Sequence, residues 1–190
     1  MITTEKITGL LIILVGTLFL IDSFLMLYCL LGADGLLGIL FNIFAVILGI
    51  LGIAVAFFLN SLFNKYHIRS LKYATNLFSA ASVWGFIVIG LTLLAGGWEI
   101  LTGGIMVLFF ALFFIVGLPF FGKSVMDFAK DRNCKIGRIF GLLIIMEPII
   151  LIVIMILVSM LYDLGIAFLA IPIIIGTLTM LGGISFIKSS

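Results

Sequence analysis

The sequence predicts an all-α integral membrane protein in which six transmembrane helices form three tandem hairpins, all entering the membrane in the same direction. Three observations carry this. Hydrophobic residues make up 65% of the 190-residue chain and charged residues only 9%, against roughly 45 to 50% and about 25% in soluble globular proteins. That leaves too little polar surface to cover a water-soluble particle. The apolar residues run in long blocks without a two-residue alternation, which selects helices over barrel strands because each backbone N–H and C=O must be satisfied inside the bilayer. Finally, the breaks between blocks alternate between short acidic and longer basic segments.

A spanning helix needs about 20 mostly apolar residues. Six stretches qualify: Ile7 to Leu31, Leu36 to Phe63, Asn76 to Ala95, Leu101 to Phe121, Ile139 to Leu161 and Gly165 to Ile187. Three breaks are tight and acidic: Gly32-Ala33-Asp34-Gly35, Gly96-Gly97-Trp98-Glu99 and Tyr162-Asp163-Leu164. Two longer ones, Asn64 to Thr75 and Gly122 to Arg138, are basic. The result is a single transmembrane domain over residues 1–190, with hairpins at about 7–63, 76–121 and 139–187.

Lys and Arg are retained on the cytoplasmic side of short loops. With Lys6 and Lys188 included, all ten Lys and Arg residues fall on one side of this arrangement. Both termini are therefore expected in the cytoplasm of a cell-membrane protein. Tyr28, Trp98 and Tyr162 fall near the outer boundary and Tyr66 and Tyr73 near the inner one, where amphipathic rings sit at headgroup level. The first apolar stretch is long and lacks a small-residue cleavage site, so no cleavable signal peptide is expected. Cys29 and Cys134 are placed on opposite faces of the bilayer, too far apart for a disulfide.

Spacing points to internal repetition. Asp34, Glu99 and Asp163 are 65 and 64 residues apart, and Gly52, Gly117 and Gly182 are spaced by 65 and 65. Each unit reads as helix, acidic turn, Gly-bearing helix and basic return, and a two-span unit repeats in parallel rather than inverted orientation. Chance spacing among 21 glycines is the competing reading. Helix association in lipid relies on close backbone approach, so Ala45, Gly49, Gly52 and Ala56, on one face of the second span, are expected to form a packing surface. Gly117 and Gly182 are assigned the same role. The partner is either a neighbouring helix or another subunit.

The runs Gly-Leu-Leu-Ile-Ile-Leu-Val-Gly (9–16), Leu-Gly-Ile-Leu-Gly-Ile-Ala (48–54) and Gly-Gly-Trp-Glu-Ile-Leu-Thr-Gly-Gly-Ile (96–105) give the chain a pattern that resembles the HdeD-type acid-resistance membrane proteins. The resemblance is one of Gly and aliphatic spacing over the whole chain. It implies a six-span, stress-associated membrane protein without established catalysis, and it carries over no functional residue.

Enzyme chemistry is not expected. The single histidine, His67, sits in a basic loop, so neither a His-based metal site nor a triad can be assembled, and no metal or cofactor is predicted. Gly32-x-x-Gly35-x-x-Gly38 follows no strand and lacks the P-loop Lys, which makes it a hairpin turn.

Two ionisable residues lie within apolar spans, Asp22 and Glu147. A charge near the bilayer centre costs about 2.5 to 3.5 kcal/mol even on the lenient insertion scale, so such residues usually face the bundle interior. Counted down from their acidic turns at 1.5 Å per residue, they lie at about 18 and 24 Å, close enough in depth to share a cavity. Burial favours the protonated form, and two neighbouring carboxyls favour sharing one proton. The structural alternative has Asp22 neutral and bonded to a neighbouring helix, with Asn42 as candidate partner, and Glu147-Pro148 marking a kink. The basic segment Lys123 to Arg138 reads either as an interfacial helix on anionic headgroups or as ordinary positive-inside bias.

Two function classes follow. The first is a structural or accessory membrane protein working through helix packing, with the lipid bilayer and either itself or other membrane subunits as partners and no nucleic acid. The second is a small ion- or proton-coupled transporter or channel using Asp22 and Glu147.

Overall fold

A computed structural model describes residues 3–30, 35–95, 117–161 and 164–190 of the chain. Among the described residues the protein is all-helical, with α1 (Thr4–Leu30), α2 (Gly35–Tyr66), α3 (Arg69–Ala95), α4 (Leu118–Asp131), α5 (Lys135–Ile145), α6 (Glu147–Leu161) and α7 (Leu164–Lys188). The acidic turns lie outside the described residues apart from Gly35 and Leu164, which open α2 and α7.

Among the described residues two helices are long and apolar enough to cross a membrane, over Thr4–Asp22 and Ile43–Tyr66. Lys135–Ile145 and Glu147–Val153, bent by 51°, make a third when taken as one broken span. The outward surface fits such a setting. On α2, Ile43, Ile47, Ile50, Ile53 and Phe57 are all exposed, and their spacing by three or four residues puts them on one face. An apolar stripe of this extent is unusual for a soluble monomer.

The basic connections are much shorter than the sequence reading expected. Helix α2 runs on to Tyr66 and α3 begins at Arg69, leaving only His67 and Ile68 between them. Similarly, Gly122 to Arg138 is helical up to Asp131, turns over Arg132, Asn133 and Cys134, and re-enters helix at Lys135. The polar residues there stood outside the expected spans because the helices outrun the apolar runs. In α4, Leu118, Phe121, Gly122, Val125, Phe128 and Ala129 are buried, while Lys123, Lys130 and Asp131 lie on the exposed side.

Each turn is closed by a residue in the left-handed region, His67 (φ 57°) and Asn133 (φ 52°). At Asn133 the closing bonds are Cys134 N–H to Ala129 O (2.8 Å) and Asn133 N–H to Lys130 O (3.1 Å). This is the Schellman pattern that satisfies the last carbonyls of a helix, and Asn tolerates its left-handed position better than most residues.

The helices close into a ring. Helix α1 packs on α2, α2 on α3, α3 on α4, α4 on α5, the α5–α6 segment on α7, and α7 back along α1. Glycine makes these seams close. A Cβ added at Gly9 would stand 2.5 Å from the carbonyl oxygen of Gly183, and one at Gly16 would stand 2.8 Å from that of Gly176. At the α4/α5 seam, Gly122 and Gly141 each approach the other's carbonyl in the same way, at 2.8 Å. Inside the ring, Phe78 meets Phe121 edge-on (5.5 Å) and Phe128 lies tilted on Phe186 (4.8 Å), within a buried cluster that includes Val55, Leu59, Leu62 and Ile144.

Candidate functional site

Glu147 is the first residue of α6 and follows the break at Met146. The break has a local cause: Pro148 has no N–H to donate, and its ring cannot sit over the carbonyl four residues earlier in a straight helix. The ladder is interrupted there, with Met146 N–H donating to Leu142 O (3.0 Å) to end α5 and the N–H groups of Ile149 and Ile150 both donating to Met146 O (3.1 Å each) to start α6. The Glu147 side chain is 0% exposed, and neither carboxyl oxygen has a hydrogen-bond partner.

Asp22, in α1, is half-buried, and its Oδ1 is buried without a partner. Along α1, Gly9 meets Gly183 and Gly16 meets Gly176 of α7, while Ile144, before the 51° bend that precedes Glu147, lies against Gly182 of the same helix. Helix α6 packs along α7, α4 and α5, whereas α1 packs along α7 and α2. Helix α7 is the neighbour that the two helices share, and neither Glu147 oxygen bonds Asp22. Asn42 belongs to α2, and its side chain lies outside the described residues, as does that of Cys29.

The glycine positions are found at helix contacts. Gly49, Gly52 and Ala56 are buried and Ala45 half-buried. Gly49 faces the Phe86 ring and Gly52 lies against Ser82 and the Phe78 carbonyl, both in α3 of the same chain. Gly117 abuts Leu77, and Gly182 abuts Phe121 and Ile144.

A second buried acid was missed by sequence reasoning. Glu5, in the first turn of α1, is 3% exposed. Lys65 Nζ donates to its Oε1 at 2.9 Å, Tyr66 OH donates to the same oxygen in a short hydrogen bond, and Arg132 lies 3.7 Å away. The Arg132 guanidinium stacks 4.3 Å from the centroid of the Tyr66 ring, and that ring meets Phe128 edge-on. One carboxylate thus joins the start of α1, the end of α2 and the turn after α4. Its only sequence signal was an acid among cations beside a membrane boundary.

Beyond that turn, Cys134 precedes α5. Burial pushes its thiol up, but the Ser189 side chain, the backbone N–H groups of Gly137 and Ile136 and the charge of Lys188 outweigh this, and the thiol is held below its ordinary range. Among the described residues no three His, Cys, Asp or Glu side chains cluster as metal ligands.

No protein-family model matches the chain, and no curated protein or solved structure matches it.

Proposed function

We propose that this chain is a six-span cell-membrane protein, with both termini cytoplasmic, that acts as a structural or accessory element through helix packing. The observation that carries the reading is the use of paired glycines at the seams, Gly9 with Gly183, Gly16 with Gly176 and Gly122 with Gly141. In lipid, close backbone approach supplies the association that hydrophobic burial supplies in water. A chain invested this heavily in seams suits a packing role better than a conduit.

The three-hairpin repeat belongs to the same proposal. Helices α1, α3 and α5 begin at Thr4, Arg69 and Lys135, and the left-handed turn residues His67 and Asn133 are 66 residues apart. The pairs α2 with α3, α4 with α5 and α7 with α1 each join the second helix of one unit to the first of the next. Clustering of Lys65, Arg132 and Lys188 at one end of the bundle supports the cytoplasmic placement of that end. The spacing resemblance to HdeD-type proteins fits a stress-associated role of this kind.

The test is purification in a mild detergent followed by native mass measurement and reconstitution into vesicles. The expected result is an assembly of fixed stoichiometry, with itself or with other membrane subunits, and no ion or proton flux. A solitary chain that sustains flux, lost in Glu147→Gln with the fold intact, would replace this reading with the transporter one.

A further inference from the structure

We infer that Glu147 is a proton-binding site built into the break between α5 and α6, taking up and releasing one proton independently of Asp22. This goes beyond the packing role and does not require transport.

The inference starts from what the carboxyl fails to do. It is 0% exposed and bonds nothing, so it does not fasten one helix to another. It opens α6, yet neither oxygen accepts a hydrogen bond from an amide of the first turn, so it does not cap that helix. Filling space would be served as well by Gln, Met or Leu, without the cost of desolvating an acid. The property of glutamate that none of these roles uses is its exchangeable proton.

The surroundings select the ligand. Calcium takes six to eight oxygens and magnesium about six, whereas among the described residues no group of three or more His, Cys, Asp or Glu side chains gathers as a metal site. A proton needs only the carboxyl itself. Ile144 and Leu151, about one turn to either side of Glu147, are buried and apolar, a setting that suits a neutral acid.

The titratable groups on the helices packed against α6 are Lys123, Asp127, Lys130 and Asp131 on α4, Lys135 and Arg138 on α5 and Lys188 on α7. None bonds Glu147, and Lys123 pairs with Asp127 instead. Once the proton leaves, the carboxylate needs solvation, and the break is where it can be supplied. The amide dipoles at the start of α6 already point toward a negative charge, and beside Pro148 the N–H groups of Ile149 and Ile150 both converge on the Met146 carbonyl at the 51° bend.

Infrared spectroscopy of the purified full chain, carrying side-chain 13C-labelled glutamate, tests this over about pH 5 to 10, a range above ordinary carboxyl values. The chain has three glutamates, Glu5, Glu99 and Glu147, so Glu99→Gln and the ion pairing of Glu5 leave one reporter. The expected result is a protonated-acid C=O band that shifts with the label, survives Asp22→Asn, vanishes in Glu147→Gln and gives way to a carboxylate band in a one-proton transition as pH rises. A band that persists unchanged at every pH would mark a permanently neutral structural acid and overturn the proposal. So would the absence of any label-sensitive acid band in the protein with Glu147 intact, a result that does not depend on whether Glu147→Gln folds.

Discussion

Glu5 and Glu147 are the same residue, buried to the same degree, in opposite circumstances. Glu5 is 3% exposed and is met by Lys65, Tyr66 and Arg132; Glu147 is 0% exposed and is met by nothing. Burial alone therefore says little about what an acid does in this chain, and partners say most of it. Paired, the carboxylate ties three segments at the basic end of the bundle. Without partners it is an expense that packing does not explain, because an unsatisfied buried polar group costs about 1–3 kcal/mol and more when charged. The molecule thus uses one functional group in two places, at its basic end for fastening and, at the bend of a span, for exchange.

The comparison presumes a closed ring that holds both acids, and breaking the seam should have the largest effect. Gly183→Leu places a side chain where even a Cβ stands 2.5 Å from the Gly9 carbonyl, and backbone cannot yield as a side-chain tip does. We expect a loss at or beyond the top of the roughly 1–3 kcal/mol typical of overpacking, read as a lower unfolding midpoint in detergent and loss of a single elution peak. Leu10→Ile, on the exposed face of α1, should be silent; equal behaviour of the two variants would remove the seam. Gly52→Leu, aimed at Ser82, should cost less, because a side chain can move aside.

Glu5→Ala comes next. Hydrogen bonds to charged groups contribute about 1.5–3 kcal/mol, but Lys65 is 55% exposed and re-solvates when released, so the loss should fall near the lower bound. Glu147→Met is the contrast. Replacing a partnerless buried acid by an apolar side chain of similar size should leave stability within about 1 kcal/mol of the parent or raise it. The same denaturation series measures both, and a larger loss for Glu147→Met than for Glu5→Ala would abolish the distinction between the acids.

What the sequence revealed and concealed follows the same division. Helical fold and membrane compatibility were legible because apolar runs and missing charges are one-dimensional properties. The bend at Met146 was legible in part, since Pro148 interrupts a helix wherever it occurs. The connections around His67–Ile68 and Arg132–Cys134 were overestimated in length because the cations Lys65 and Lys123 fell outside the apolar runs, whereas α4 has an apolar face that keeps it helical on the core. The Glu5 node was illegible: it joins residues 60 and more positions apart, and no spacing rule links Glu5 to Arg132. The register between helices, set by contacts such as Gly9–Gly183 and Ile144–Gly182, was likewise beyond what composition records.

The smallest expected effect tests on which side of the membrane this contrast is arranged. Cys134 lies in the turn after Arg132, at the Glu5 end of the bundle, and is half-buried. If that end is cytoplasmic, a membrane-impermeant maleimide should leave Cys134 unlabelled in intact cells and label it in inside-out vesicles, in a Cys29→Ser background that leaves one thiol. The thiolate is the reactive form, and although burial opposes it, the Ser189 side chain, the Gly137 and Ile136 amides and Lys188 favour it. Removing the hydroxyl in Ser189→Ala takes away a contact that favours the charged form, so the thiol's pKa rises and less thiolate is present near neutral pH. Labelling in inside-out vesicles should then slow a few-fold at about pH 7 and converge with the parent as pH rises past the ordinary cysteine value. Unchanged rates would remove Ser189 from the Cys134 environment, and efficient labelling from outside intact cells would place Glu5, Arg132 and the whole basic end on the opposite face.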